Sequence, residues 1–242
     1  MKIIRVKNYE EASQKALEVM LETVKKGNAV LGLATGSTPL RLYELMREDH
    51  KKNKTSYCDI RTYNLDEYYG LPITHEQSYY YFMWHNLFNE LDIKKENIHV
   101  PRGEGDINES CQLYNQMLDQ DVRDIQLLGL GSNGHIGFNE PGTDFNSVTH
   151  HVALKKSTIE DNAQLFFNGD IDAVPKSAIT MGIKNVMDAK KILLIATGER
   201  KADAVKAMIE GEITTDLPAS ILQKHNDVTV IVDQGAASKL SV

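Results

Sequence analysis

Short apolar runs alternate with longer segments of helical period along the whole chain, and that alternation restricts the fold more than any other feature. The runs at 2–6, 29–34, 59–65, 125–130, 191–197 and 228–233 read as strands, and most have the continuous hydrophobicity of strands buried on both faces. Between them, apolar residues recur every three or four positions near 9–26, where Ala12, Ala16, Val19, Met20 and Val24 define one face, and again at 39–48, 77–90, 107–119 and 200–209. No Pro/Gly/Ser-rich linker, repeat or low-complexity block interrupts the pattern, so residues 1–242 read as a single domain. The expectation is an α/β fold, a doubly wound, mostly parallel sheet with helices on both faces. In such a sheet ligands bind beyond the carboxyl ends of the strands, where the strand order reverses.

Composition removes several functions. With 27 Lys plus Arg against 34 Asp plus Glu, the net charge is −7, the wrong sign for a nucleic-acid partner. A small anionic substrate remains compatible, because bulk charge is screened beyond about 8 Å at physiological salt. Cys58 and Cys111 have no metal-binding or redox spacing and are expected as buried, reduced thiols. The N-terminus lacks an apolar signal core and no apolar run approaches the ~20 residues of a membrane span, so a cytoplasmic location is expected, with no membrane partner.

The strand ends carry the chemistry. After 29–34 comes TGSTP, where Pro39 suits the first helical position and Ser37 or Thr38 the N-cap. Thr35, Gly36 and Ser37 would offer backbone N–H groups and hydroxyls to an anion, or simply form a well-capped turn. After 59–65 stand Asp66 and Glu67, which either cap the next segment or supply a proton acceptor. Lys201, in the first turn after the strand at 191–197, either faces solvent or meets an anion that offsets its clash with the helix dipole.

The segment from Gly129 to Phe145 is the richest. Gly129, Gly131 and Gly134 satisfy G-x-G-x-x-G, but Gly137, Pro141 and Gly142 break any following helix, which argues against dinucleotide binding. What remains is a loop presenting Asn133, His135, Asn139 and Glu140, with His135 and Glu140 a candidate acid/base pair. The aromatic run at 79–88 reads as an amphipathic helix, and His150 and His151, adjacent in sequence, do not read as paired metal ligands.

Six segments, LGLATGSTP (31–39), NLDEYYGL (64–71), SYYYFM (78–83), GSNGHIGFNEPG (131–142), VPKSAITMGI (174–183) and ATGERKADAV (196–205), resemble the glucosamine-6-phosphate deaminases in sequence and order. The resemblance implies conversion of glucosamine 6-phosphate and water to fructose 6-phosphate and ammonia in amino-sugar catabolism, with neither cofactor nor metal, by a hydrolase acting on an amino sugar phosphate. It implies Asp66 as the proton acceptor for enolisation, and His135 as the ring-opening acid/base assisted by Glu140 and Asn133. Thr35, Gly36, Ser37 and Lys201 fall on its phosphate-binding positions. Alternatives are a 6-phosphogluconolactonase-like hydrolase and a non-catalytic sugar-phosphate sensor, and a homo-oligomer is compatible with the sequence.

Four positions depart from the family pattern. Asn133 is Asp in some members, which weakens the charge of the relay. His150 and Val152 replace basic residues that bind the activator N-acetylglucosamine 6-phosphate in regulated relatives, and the chain stops at Val242, so no such activation is expected. Leu165 replaces an Arg that grips phosphate. Leu165→Arg is therefore expected to lower KM for the sugar phosphate in steady-state kinetics; an unchanged KM contradicts this.

Overall fold

The computed structural model describes residues 1–241, apart from the side chains of Ser157, Asp161, Leu165 and Phe166. In chain order the elements are β1 (Lys2–Arg5), α1 (Tyr9–Val24), β2 (Val30–Leu33), α2 (Leu40–Asn53), β3 (Arg61–Asn64), β4 (Asp66–Tyr68), α3 (Tyr79–Asn86), β5 (Ile98–His99), α4 (Ile107–Gln120), β6 (Ile125–Leu128), β7 (His150–Ala153), α5 (Lys156–Phe166), β8 (Ser177–Thr180), α6 (Ile183–Met187), β9 (Ile192–Ala196), α7 (Ala202–Glu210) and β10 (Val228–Val232). Seven strands form one parallel sheet in the order β1-β10-β9-β6-β2-β3-β5. The expected α/β, doubly wound architecture is present.

Burial explains the strands that sequence periodicity found. Every residue of β2, β6, β9 and β10 is buried, as a parallel sheet covered on both faces demands. From β2 the chain moves outward through β3 to β5, then returns to the other side of β2 at β6 and continues to β9 and β10. The strand order therefore reverses between β2 and β6. Their carboxyl ends open into the loops at 34–38 and 129–131, so the crevice expected at such a reversal lies between those two segments.

A second sheet was not anticipated. β4, β8 and β7 form a three-stranded antiparallel sheet in that order. The expected strand at 59–65 divides: β3 ends at Asn64, and Leu65 bridges the sheets by donating its N–H to Leu33 O (2.9 Å) while its carbonyl accepts from Met181 N (2.7 Å). Asp66 is thus the first residue of a strand in the small sheet and not part of a loop. The expected helix at 77–90 is α3 followed by a 3-10 turn at Phe88–Glu90, while α5 and α6 went unread.

The start of α2 also differs from expectation. Pro39 is the N-cap itself and no side chain of the TGSTP segment caps the helix. The Tyr9 hydroxyl, from α1, accepts from Arg41 N (3.0 Å) and donates to the Ser37 carbonyl (2.9 Å), fastening the 35–38 loop from outside. From inside, the fully buried Tyr43 hydroxyl donates to Ala34 O and accepts from Ala34 N. Both cysteines are free, as expected, but half-buried where full burial was expected. Among the described residues no helix is long and apolar enough to cross a membrane.

Tyr43→Phe leaves both Ala34 backbone groups without their side-chain partner. It is expected to cost about 1–3 kcal/mol in urea unfolding, and an unchanged midpoint contradicts that.

Candidate active site

At the reversal point lies a cleft of about 190 Å³, room for roughly six waters at liquid volume and so for a small metabolite. The 34–38 loop forms one wall, Gly129–Ser132, His135, Gly137 and Phe138 another, and Asp66, Tyr79, Thr158, Asn162 and Lys201 complete it. Of the eight candidate residues, Thr35, Gly36, Ser37, Asp66, His135 and Lys201 line this cleft, while Asn133 and Glu140 stand behind His135 as its hydrogen-bonding support.

The loop after β6 reaches both acid/base candidates because it lacks side chains where it touches them. A Cβ on Gly131 would lie 2.3 Å from the His135 ring, so the imidazole packs directly on that backbone. Gly137, at φ +58°, brings the chain so close to β4 that a Cβ there would sit 2.9 Å from Thr180 Oγ1 and 3.4 Å from Asp66 Oδ2. Of the glycines that imitate a dinucleotide fingerprint, Gly131 and Gly134 serve a turn instead, Gly131 N–H donating to His135 O (2.9 Å) and Gly134 N–H to Gly131 O (3.0 Å). Asn139, expected in the cleft, is fully buried and donates to Ile136 O (2.9 Å) and Met181 O (2.8 Å), anchoring the turn to the end of β8.

Hydrogen bonds set the orientation of His135. The Asn133 amide donates through Nδ2 to Glu140 Oε2 (2.8 Å), which turns its Oδ1 to His135 Nδ1 at 2.7 Å. An amide oxygen only accepts, so Nδ1 carries the proton and Nε2 is the basic atom of the neutral ring. Glu140, buried, keeps Oε2 3.8 Å from that ring nitrogen and takes a hydrogen bond at Oε1 from Thr158 Oγ1. Thr158 lies on α5, a segment sequence reasoning did not read as helix, and no residue-type pattern marks it.

The adjacent carboxylates of β4 diverge, as strand alternation requires. Asp66 faces the cleft at 6% exposure, and burial, followed by the nearby Glu67 carboxylate, raises its pKa to about 8. Glu67 turns to the start of α3 and accepts from Tyr68 N (2.8 Å), Tyr79 N (2.8 Å) and Tyr80 N (2.9 Å). Burial raises its pKa to about 7 against the pull of those three donors. The capping reading of this pair is therefore met by Glu67 at the start of α3, while Asp66 is left facing the cleft.

Lys201 ends the 3-10 turn Glu199–Lys201 after β9 and is the N-cap of α7. It lines the cleft, as the N-cap of α7 and not within the first helical turn as expected. Leu165 lies on α5, with its side chain outside the described residues. Among the described residues no group of three His, Cys, Asp or Glu could hold a metal ion.

Asp66 makes a stability prediction with a definite sign. A carboxyl at about 8 in the folded chain and near 3.9 unfolded binds its proton more tightly when folded, so its contribution is present below about pH 4 and is lost as pH rises through 8. Asp66→Asn is expected to raise stability at pH 8.5 by at least about 1 kcal/mol over its effect at pH 5. Equal effects at the two pH values in urea unfolding contradict this.

Comparison with known proteins agrees with this geometry. Residues 6–231 match the family described as glucosamine-6-phosphate isomerases/6-phosphogluconolactonase. A glucosamine-6-phosphate deaminase of Lactobacillus delbrueckii subsp. bulgaricus is 52% identical over 99% of this chain and 100% of its own. A solved monomeric glucosamine-6-phosphate deaminase superposes with TM-score 0.96 at 45% identity, covering 99% of this chain and 100% of that one. A 6-phosphogluconolactonase from Leishmania guyanensis, at 22% identity and TM-score 0.78 over 100% and 99% of the two chains, shares the fold. The chain belongs to the glucosamine-6-phosphate isomerase/6-phosphogluconolactonase family.

Proposed function

We propose that the protein converts glucosamine 6-phosphate and water to fructose 6-phosphate and ammonia in amino-sugar catabolism. The observation that carries this reading is one cleft bearing two separate proton-transfer groups, Asp66 and His135, beside a loop and a lysine suited to an anion. Relatives at about half identity over their full length bear the deaminase name, whereas the lactonase shares fold alone.

The geometry supports the following course. The phosphate binds between the 35–37 loop and Lys201, far from the reacting carbons, and its binding energy orients the sugar. His135 Nε2 takes the proton of the O1 hydroxyl and delivers it to the ring oxygen, and the pyranose opens. Asn133 and Glu140 hold the imidazole in the tautomer this needs. Asp66 then removes the C2 proton to give an enolamine and returns a proton to C1. The resulting C2 imine adds water and loses ammonia, leaving the ketose.

Carbon chemistry here is aldose–ketose isomerisation, and water enters only when the imine breaks. The family's description as isomerases fits that better than the hydrolase class expected from the net equation. The cytoplasm, where sugar phosphates are retained, is the proposed location.

An Asp66 raised by burial accepts a proton only above its pKa, so kcat/KM should climb with pH toward about 8. Asp66→Asn is expected to cut ammonia release by roughly 10²–10⁴-fold with KM little changed. Undiminished turnover removes Asp66 from its role; lactone hydrolysis without ammonia release removes the reading itself.

A further inference from the structure

Glu67 is a buried carboxylate that the proposed reaction leaves unused. At 1% exposure it accepts three backbone N–H groups, one from its own strand and two from the first turn of α3. A carboxylate at a helix N-terminus satisfies donors that the helix cannot satisfy itself and meets the positive end of its dipole. Ser78 already caps α3 through Tyr81 N (3.1 Å), so Glu67 is a second tie, and it comes from outside the helix.

That tie joins two walls of the cleft. Glu67 follows Asp66 directly, and Tyr79, whose N–H it holds, lines the cleft across from Gly36. The Tyr79 ring lies 4.7 Å from Tyr68 and stacks on Phe138 at 6.1 Å, so its placement is shared between α3, β4 and the loop after β6. There is no slack on the far side of β4: a Cβ on Gly103 would lie 2.1 Å from Tyr68 O and 3.1 Å from Glu67 Cγ.

We propose that Glu67 is a positioning residue, its carboxylate fastening the first turn of α3 to β4 so that Asp66 and Tyr79 keep their places on the cleft wall. This rests on the assignment of Asp66 as the base. When ionised, Glu67 has a second effect, because an anion next to Asp66 makes loss of the Asp66 proton harder and the carboxylate a better acceptor once formed. The other titratable groups around Asp66 are Tyr68 on β4, Tyr79 on α3, Tyr114 on α4 and, across the cleft, His135.

Two variants separate reach from charge. Glu67→Gln retains length and loses the anion, and its amide sets a donor against one of the three N–H groups. The folded variant is expected to lose about 10- to 100-fold in kcat, with KM for glucosamine 6-phosphate within threefold of wild type (a roughly constant binding term) and the acid limb of kcat/KM at lower pH. Glu67→Asp keeps the anion and falls short of α3; its kcat should drop about as far while the acid limb stays in place.

An acid limb of folded Glu67→Gln coincident with wild type, or a rise in KM at unchanged kcat, overturns the proposal. If Glu67→Gln does not fold, Glu67→Asp decides, since wild-type kcat there overturns it equally. Asp66→Asn is assayed alongside. Full turnover in that variant would sink the base assignment and the inference with it, whereas its inactivity beside wild-type behaviour of both Glu67 variants would sink the inference alone.

Discussion

The close approach of the loop after β6 to the end of β4 is the contact on which the site depends. Gly131 gives the imidazole of His135 a bare backbone to lie on, and Gly137 lets the same loop pass within a few ångströms of Asp66. A side chain at Gly131 would displace the imidazole and one at Gly137 would press on Thr180 and Asp66, moving apart the two groups proposed to act on one sugar. The turn between them is held from below by Asn139, whose amide reaches the end of β8. Close packing at this point is thus a condition of the chemistry.

The parallel sheet and the small antiparallel sheet divide the work. Reversal of strand order between β2 and β6 makes the crevice, an outcome of topology alone. The antiparallel sheet supplies what the parallel one lacks, a buried edge from which a carboxylate can be presented with little water around it. Desolvation disfavours the ionised form, and that cost to stability raises basicity. The fold carries a local penalty at the place where a strong acceptor is useful.

Legibility followed burial. The runs that became β2, β6, β9 and β10 are apolar at nearly every position, and sequence periodicity found them. β4 (DEY), β7 (HHVA) and β8 (SAIT) are three or four residues each and carry charged or polar side chains among few apolar ones, so no period emerges. His135, Glu140 and Asn133 were visible because they cluster in sequence. Thr158, Tyr79 and the hydroxyls of Tyr9 and Tyr43 join the site or its loop across 9 to 32 residues or more, and such partnerships exist only once the chain has folded. The helix cap on α2 was misassigned for the same reason: its donor is satisfied by α1.

β1 stands at one margin of the large sheet and pairs there with β10 alone. During synthesis β1 therefore has no sheet partner until β10 emerges, more than two hundred residues later. In the interval α1 can pack on α2, yet the amino-terminal strand stays an unpaired edge. A nascent chain of this protein is exposed to mispairing at β1 while all the residues between the two strands are made, and β10 is what ends that exposure.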